Sequence, residues 1–394
     1  MHPGYHIRIW AIVAVSLSLS AIRASDFSVQ PTGALTLEGW SLFDGGVDTG
    51  ESSLGLLHLG SDFTIGDKTH GHVGALLFSG DNDVDSFTGD FGVYSNVITD
   101  SRYILFTAWL QSDFQDSSFK WGQLAVDETF FVSETGSLFI NGNFGAIPTV
   151  SANVSAPVFS VGAAGAEYRH NGNHGYLQIG AYAGDSGPGD KDDHGFNWEA
   201  GGQAGYFFIL ERSLDYKLNP SQPGTIKIGG YYHTSQFESF ETNRSSKGLA
   251  SIYGVIDQKL SESLSFFVRA GFNPNSERSV VTRYVDAGAA WRPFSETRPQ
   301  DIMGIAYSHT RFSDSFAKSE PLVSNSRSEQ VLEITYSAQL AGEWMMQPPY
   351  SGLSTPPTPL KMRWSEVCVY FGNSEGLIPR SPLAKRTRLY VYAF

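Results

Sequence analysis

The sequence predicts an all-β chain that closes into a transmembrane antiparallel β-barrel of about 16 strands. Three observations carry this: an apolar/polar alternation of period two that recurs down most of the chain, a composition poor in charge, and an N-terminus built like an export signal. Leu332, Ile334, Tyr336, Ala338 and Leu340 alternate with Glu333, Thr335, Ser337 and Gln339. Successive strand side chains point to opposite faces, so such a segment is greasy on one side and wet on the other. A soluble sandwich buries the greasy face, whereas an outer-membrane barrel turns it toward lipid and lines a watery lumen with the polar one.

Composition favours the second arrangement. Of 394 residues 17% are charged, against roughly a quarter in ordinary soluble domains. Gly (42 residues) and aromatics (13%) are plentiful, as suits close-packed strands with ring-bearing residues at the headgroup level. A formal net charge of −13 argues against a nucleic-acid partner.

Residues 1–24 read as a secretory signal peptide: a weakly basic start (His2, His6, Arg8), an apolar run from Ile9 to about Ala21, and a small-residue exit at Ala24 and Ser25. The run is shorter than the ~18 to 20 residues a membrane-spanning helix needs, and no later stretch qualifies. The single cysteine, Cys368, leaves neither a disulfide framework nor a Cys metal site. An exported chain without disulfides gains from closing its sheet, which pairs every backbone group and removes the edges.

Strand-like segments run from about Ala34 to Leu340, within a barrel assigned to residues 25–348. Ile104, Phe106, Ala108 and Leu110 are read as one face, with Tyr103, Thr107 and Gln111 opposite. Ile226, Ile228 and Tyr232 oppose Lys227, Tyr231 and His233; Leu264, Phe266 and Val268 oppose Arg269; Val285, Ala287 and Ala289 oppose Asp286 and Arg292. About 16 segments leave roughly 23 residues per strand with its loop, in keeping with strands of ~10 residues.

Motifs for covalent chemistry are missing. Asp185 to Pro188 is superficially like a serine-protease nucleophile segment, but no matching histidine motif exists and no Ser/His/Asp set can be assembled. His170 and His174 sit in HNGNHG, a turn between strands rather than a zinc site, which needs three or four converging ligands. Asp81–Asp85 and Asp185–His194 are acidic surface loops without calcium-loop spacing. No phosphate-cradling or dinucleotide motif appears, so no cofactor, no metal and no enzyme activity are expected.

Inward-facing charges fall on different strands: Asp127, Glu167, Glu199, Asp286 and Glu333, interspersed with Arg169, Lys227, Arg269 and Arg292. Two readings stay open. These groups neutralise one another inside a barrel, or they keep a lumen wet and exchange hydrogen bonds with a hydroxylated solute.

Residues 119–157 read FKWGQLAVDETFFVSETGSLFINGNFGAIPTVSANVSAP. This resembles the carbohydrate-selective porins of the OprB type, whose W-x-G-Q-L strand with an Asp is followed by Phe-rich segments, F-x-N-x-x-F-G and a Pro-rich turn. Here these are Trp121, Gly122, Gln123, Leu124, Asp127, Phe130, Phe131, Phe139, Asn141, Phe144, Gly145 and Pro148. Further matches run from about residue 35 to 348, among them Gly229–Thr234, Tyr253 with Asp257 and Gln258, and Glu329 with Glu333 and Tyr336. The resemblance implies a sixteen-stranded outer-membrane barrel through which sugars diffuse, narrowed by an inward-folded segment.

Residues 128–157 are the expected inward segment, since an irregular stretch this long is uncommon unless functional. Trp121, Gln123, Asp127, Asn141, Asn143 and Arg169 are the candidate selectivity residues, because aromatic faces stack on pyranose rings while amides both donate and accept. Glu199, Lys227, Arg269, Asp286, Arg292 and Glu333 are expected to continue the pathway. The partners implied are mono- or oligosaccharides as solutes and outer-membrane lipid, with homotrimer and monomer both open.

From Pro349 the alternation breaks, six of the 18 prolines appear, and six basic residues face two acidic ones. Reading the coding frame one base earlier permits a string like the family's closing strand, ending in Phe and a stop. Residues 349–394 are therefore expected to be an atypical tail, with a single-base frameshift as its origin. The given ending, Tyr390, Tyr392 and Phe394, also alternates toward a terminal Phe.

Overall fold

The structure is a computed structural model of the chain. It describes residues 22–24, 26–42, 50–80, 91–97, 101–187, 194–196, 198–242, 244–294, 296–319, 327–339, 344–347, 349–354 and 361–372. The expected leader and the acidic loop at 81–85 therefore lie outside the described residues, apart from 22–24 of the leader.

Period-two segments become strands throughout. The first nine are β1 (Ile22–Ala24), β2 (Phe27–Leu42), β3 (Gly50–Ile65), β4 (Thr69–Gly80), β5 (Arg102–Phe114), β6 (Ser117–Leu124), β7 (Ala163–Gly172), β8 (Gly175–Ala183) and β9 (Tyr206–Lys217). The rest are β10 (Pro223–Glu238), β11 (Ser245–Lys259), β12 (Leu264–Phe272), β13 (Val281–Trp291), β14 (Ile302–Phe312), β15 (Ser328–Gln339), β16 (Trp344–Gln347), β17 (Pro349–Ser354) and β18 (Lys361–Gly372).

From β2 to β16 neighbours in sequence pair antiparallel, as do β17 and β18, and β18 returns to β2 through Phe371↔Leu35 and Ser365↔Trp40. β16 and β17 each pair with β15 on one side and β18 on the other, so together they form one stave. With the fourteen strands β2 to β15, that stave and β18, the described ring has sixteen. Three-residue β1 lies alongside the start of β2.

Although side-chain alternation fails after Pro349, β17 and β18 still supply the last rungs. Ladder hydrogen bonds are made by the backbone, and an extended segment can fill a stave without an alternating pattern.

The connections are unequal at the two ends. Residues 66–68, 115–116, 173–174 and 218–222 make short turns at one end, while the longer connections β4–β5, β6–β7 and β8–β9 fall at the other. In barrels of this kind the long loops face the outside of the cell.

Outward positions are apolar and exposed, among them Ile228 at 64%, Ile252 at 62% and Leu210 at 50%. Their inward neighbours on the same strands, Glu211, Tyr231 and Tyr253, are buried. The core lies between the wall and the inward segment, where Val126, Phe130, Phe131, Ile147 and Val150 pack on Tyr182, Phe207, Tyr231 and Tyr253.

Two local irregularities change the predicted faces. The β4–β5 register slips between Gly74 and Ala75, leaving Phe106 as an extra residue, so Phe106 and Thr107 are both buried. Beyond this bulge the faces exchange: Trp109 points in and Ala108 and Leu110 no longer share the side of Ile104. In β6, Gly122 adopts φ +138°, and a Cβ there would lie 2.3 Å from the Ala108 carbonyl oxygen. A non-glycine residue could not make this turn.

A membrane-impermeant thiol reagent should label cysteine at Lys227 faster than at Ile228 in intact vesicles. Ile228→Arg should cost about 2–4 kcal/mol if it lies near the midplane, measured as a lowered unfolding midpoint. Faster labelling at Ile228 would reverse the assignment of faces.

Candidate functional site

The β6–β7 connection, residues 125–162, does not lie over the barrel mouth but folds against the inner wall. It contains 3-10 turns at Val126–Glu128, Gly136–Leu138 and Gly142–Phe144 and a single α-turn, α1 (Pro148–Ser151). Such a path leaves many backbone N–H and C=O groups without ladder partners, and each would be costly if left bare.

Carboxylates of the wall accept the segment's N–H groups. Glu211 takes Phe131 N–H at 2.8 Å, and Asp257 takes Thr135 N–H at 3.0 Å and the Ser133 hydroxyl at 2.7 Å. Glu333 takes Ile140 and Asn141 N–H at 3.1 and 3.0 Å. Glu329 takes Phe91 and Gly92 N–H at 2.8 and 3.0 Å from the neighbouring β4–β5 loop.

Donors of the wall meet the segment's carbonyls. Lys227 Nζ donates to Val132 O at 2.6 Å, Gln178 Nε2 to Thr129 O at 2.8 Å, Gln347 Nε2 to Leu138 O at 2.6 Å and Tyr231 OH to Thr149 O at 2.8 Å. Arg269 donates to the carbonyls of Gly145 and Phe144 at 2.7 and 2.6 Å and pairs with Asp286 at 2.5 Å, both side chains being buried. Tyr284 donates to that same Asp286 at 2.8 Å.

The predicted site residues therefore fall into separate groups. Arg269, Asp286, Glu333 and Lys227 converge on the segment, as its anchors. Asn141 and Asn143 are buried in the joint: Asn143 Nδ2 donates to Glu329 at 3.0 Å, and its Oδ1 accepts from Thr310 at 3.2 Å. The backbones are so close here that a Cβ on Gly92 would lie 1.9 Å from Asn143 Nδ2. Gln123 points inward, but its amide donates to the carbonyls of Leu105 and Phe106 at 2.6 and 3.1 Å, beside the β5 bulge.

Three predicted residues lie elsewhere. Trp121 is on the outer face, 50% exposed, alternating regularly with buried Lys120 and exposed Phe119; the Gly122 backbone then breaks the alternation and turns Gln123 inward, away from Trp121. Glu199 is exposed in the β8–β9 loop, bridged to Asp185 through backbone alone. Arg292 lies in the turn after β13, its guanidinium 3.5 Å from Gln300.

Arg169 does face the lumen, stacked 3.6 Å over the Tyr176 ring. A polar row continues around that wall. Asp62 and His72 are 2.6 Å apart, His72 stacks on Trp109, Lys120 lies over the same Trp109, and Lys120 pairs with Glu167 at 3.3 Å. Sequence reasoning left Glu211, Asp257, Glu329 and Lys120 out of the site. Their signal was a lone charge at an inward strand position, which for Glu211 stood beside a run of apolar residues.

Asp127 is buried in the first turn of the segment, accepting Phe159 N–H at 2.9 Å, while its Oδ1 has no hydrogen-bond partner. Burial pushes its carboxyl up to about 8. On the segment's open side Glu128 and Glu134 are exposed. Enclosure by the surrounding wall raises both carboxyls above their ordinary range; beyond that, Glu128 feels the charges of Lys120, His72 and Glu167, and Glu134 those of Asp257 and Lys227.

A closed antiparallel barrel with an apolar exterior, a polar lumen and an inward loop is the architecture of an outer-membrane porin. The family model for the carbohydrate-selective porins, OprB family, matches residues 77–351. The chain belongs to that family: it is a bacterial outer-membrane porin for the diffusion of sugars, and its fold is that of a channel.

Among solved structures it is similar to Pseudomonas putida OprB at high pH, with a TM-score of 0.76 and 16% identity over 88% of this chain and 94% of that one. It also resembles the outer-membrane channel DcaP of Acinetobacter baumannii (0.55, 12% identity, 90% and 100%) and Salmonella typhi OmpF in complex with daunomycin (0.55, 8%, 90% and 100%). No curated protein sequence matches.

Two outcomes follow. Removing the Arg269 side chain leaves buried Asp286 without its counter-ion and two carbonyls unpaired, so Arg269→Met should destabilise by about 3–5 kcal/mol and loosen the segment, seen as noisier single-channel current. The raised carboxyl of Asp127 favours the protonated folded form. Its contribution to stability is full below about pH 4, declines as pH rises toward about 8 and is lost above. Asp127→Asn, still able to accept Phe159 N–H, should flatten that part of the unfolding-midpoint profile between pH 5 and 9; an unchanged profile would remove Asp127 as its source.

Proposed function

We propose that sugars are selected where the inward segment meets the open lumen, by groups that docking does not consume. One observation supports this reading above others. The wall spends Glu211, Asp257, Glu329, Glu333, Lys227 and Arg269 on holding the segment, whereas Glu128 and Glu134 project from it exposed. Opposite charges, Lys120 and Lys227, lie within electrostatic range of these two carboxylates.

Carboxylates accept from sugar hydroxyls and the Lys120 ammonium donates to them, so a polyol exchanges its water for several weak contacts and can still leave. Arg169 adds donors on the neighbouring wall, held in place by its stacking on Tyr176. Asn141 and Asn143 act one step removed, by fixing the segment that carries the two glutamates. Mono- or oligosaccharides are the solutes of this reading.

Sugar block of ion current in a planar bilayer tests it. Glu128→Gln with Glu134→Gln should weaken block by hexoses about tenfold, the loss of one or two charge-assisted hydrogen bonds, while the barrel still conducts. Asn141→Ala with Asn143→Ala should instead alter open-channel conductance. Undiminished block in the glutamate double variant would move the site elsewhere, and block that tracks solute size alone would make this a general diffusion pore.

A further inference from the structure

Where β13 and β14 leave the membrane on the long-loop side, the outer face carries arginine in place of apolar residues. Arg283 and Arg311 are direct cross-strand partners. Both share the outward face of their strands: Arg283 with exposed Val285, Arg311 with exposed Ile305 and Tyr307. The inward neighbours Tyr284 and Thr310 point the other way and bond to Asn143.

Like charges set directly opposite on a sheet repel, and little nearby relieves them. Asp314, at the start of the short helix α2 (Asp314–Ser319), pairs with Arg311 and Arg327, each at 3.2 Å through the same oxygen. Its one carboxylate serves two guanidiniums, and Arg283 is exposed with no hydrogen bond or ion pair among the described residues. Arg283 and Arg311 thus set two guanidiniums on an outward-facing surface, with one carboxylate that is shared with Arg327.

Height along the barrel says what that surface meets. Arg283 stands about 20 Å above Trp291, measured up a strand tilted by about 40°. An apolar band is about 25 Å tall and ends in aromatic and polar residues at the headgroups. Below the arginines the same face is Val285, Ala287 and Ala289 on β13 and His309, Tyr307, Ile305 and Met303 on β14, so polar and aromatic residues lead from the apolar band up to the charge.

We infer that Arg283 and Arg311 form a binding site for the phosphorylated headgroup of an outer-leaflet lipid. Guanidinium forks suit phosphate oxygens. The apolar face below His309 and Tyr307 accommodates the acyl chains of the same molecule, which a free phosphate could not use.

The test uses the full-length barrel in detergent, with lipid A bisphosphate as the probe and native mass spectrometry as the readout. The unaltered protein should retain the lipid, and Arg283→Gln with Arg311→Gln should bind it about tenfold more weakly. Arg283→Lys should keep most of the affinity. Heat-modifiable gel mobility and single-channel conductance, unchanged in the variants, show that they are folded. Dephosphorylated lipid A should bind the unaltered protein as weakly as bisphosphate binds the double variant, and inorganic phosphate at equal concentration should not displace the lipid. Equal retention by the double variant overturns the inference, as does equal binding of the dephosphorylated lipid or displacement by inorganic phosphate alone.

Discussion

Backbone that crosses a barrel lumen without regular structure must find hydrogen-bond partners, and everything distinctive in this molecule answers that requirement. Residues 125–162 offer N–H groups in one place and carbonyls in another. The wall meets the first with Glu211, Asp257 and Glu333, and the second with Lys227, Arg269, Gln178 and Gln347. The pattern of charge inside the barrel is therefore a mould of the segment's backbone. A charged group buried in such a mould is costly to remove, because its partner stays behind unsatisfied.

This changes what lumen charge means for transport. Ionisable groups on inward strand positions look like solute contacts when the strands are read alone. Several of them are instead committed to one loop, and in the proposed reading the solute meets the side chains that the loop presents together with Arg169 and Lys120 of the wall. Selectivity and stability are thus coupled: altering an anchor moves Glu128 and Glu134 without touching them. Neutralising those two glutamates leaves the anchors intact.

The same economy governs the exterior. Apolar side chains cover the face that meets hydrocarbon, and arginine takes over on β13 and β14 at the long-loop rim. Inward and outward faces of the same strands thus carry different chemistry at the same height, with Tyr284 and Thr310 holding the loop and Arg283 and Arg311 facing outward.

The sequence by itself determined the strands, the sidedness of most of them and the existence of a long irregular insert, because period-two alternation records which face meets lipid. It also placed Arg269, Asp286, Glu333 and Lys227 inside the barrel. What those groups do was decided by tertiary structure, since the inward segment brings residue 140 against residue 333 and residue 145 against residue 269, contacts with no local signature. Trp121 shows the limit in one residue. Alternation puts it beside Gln123, but Trp121 keeps the outward face of Phe119, and the positive φ of Gly122 turns Gln123 inward where β5 approaches too closely for a Cβ, an approach that the sequence of β6 does not record.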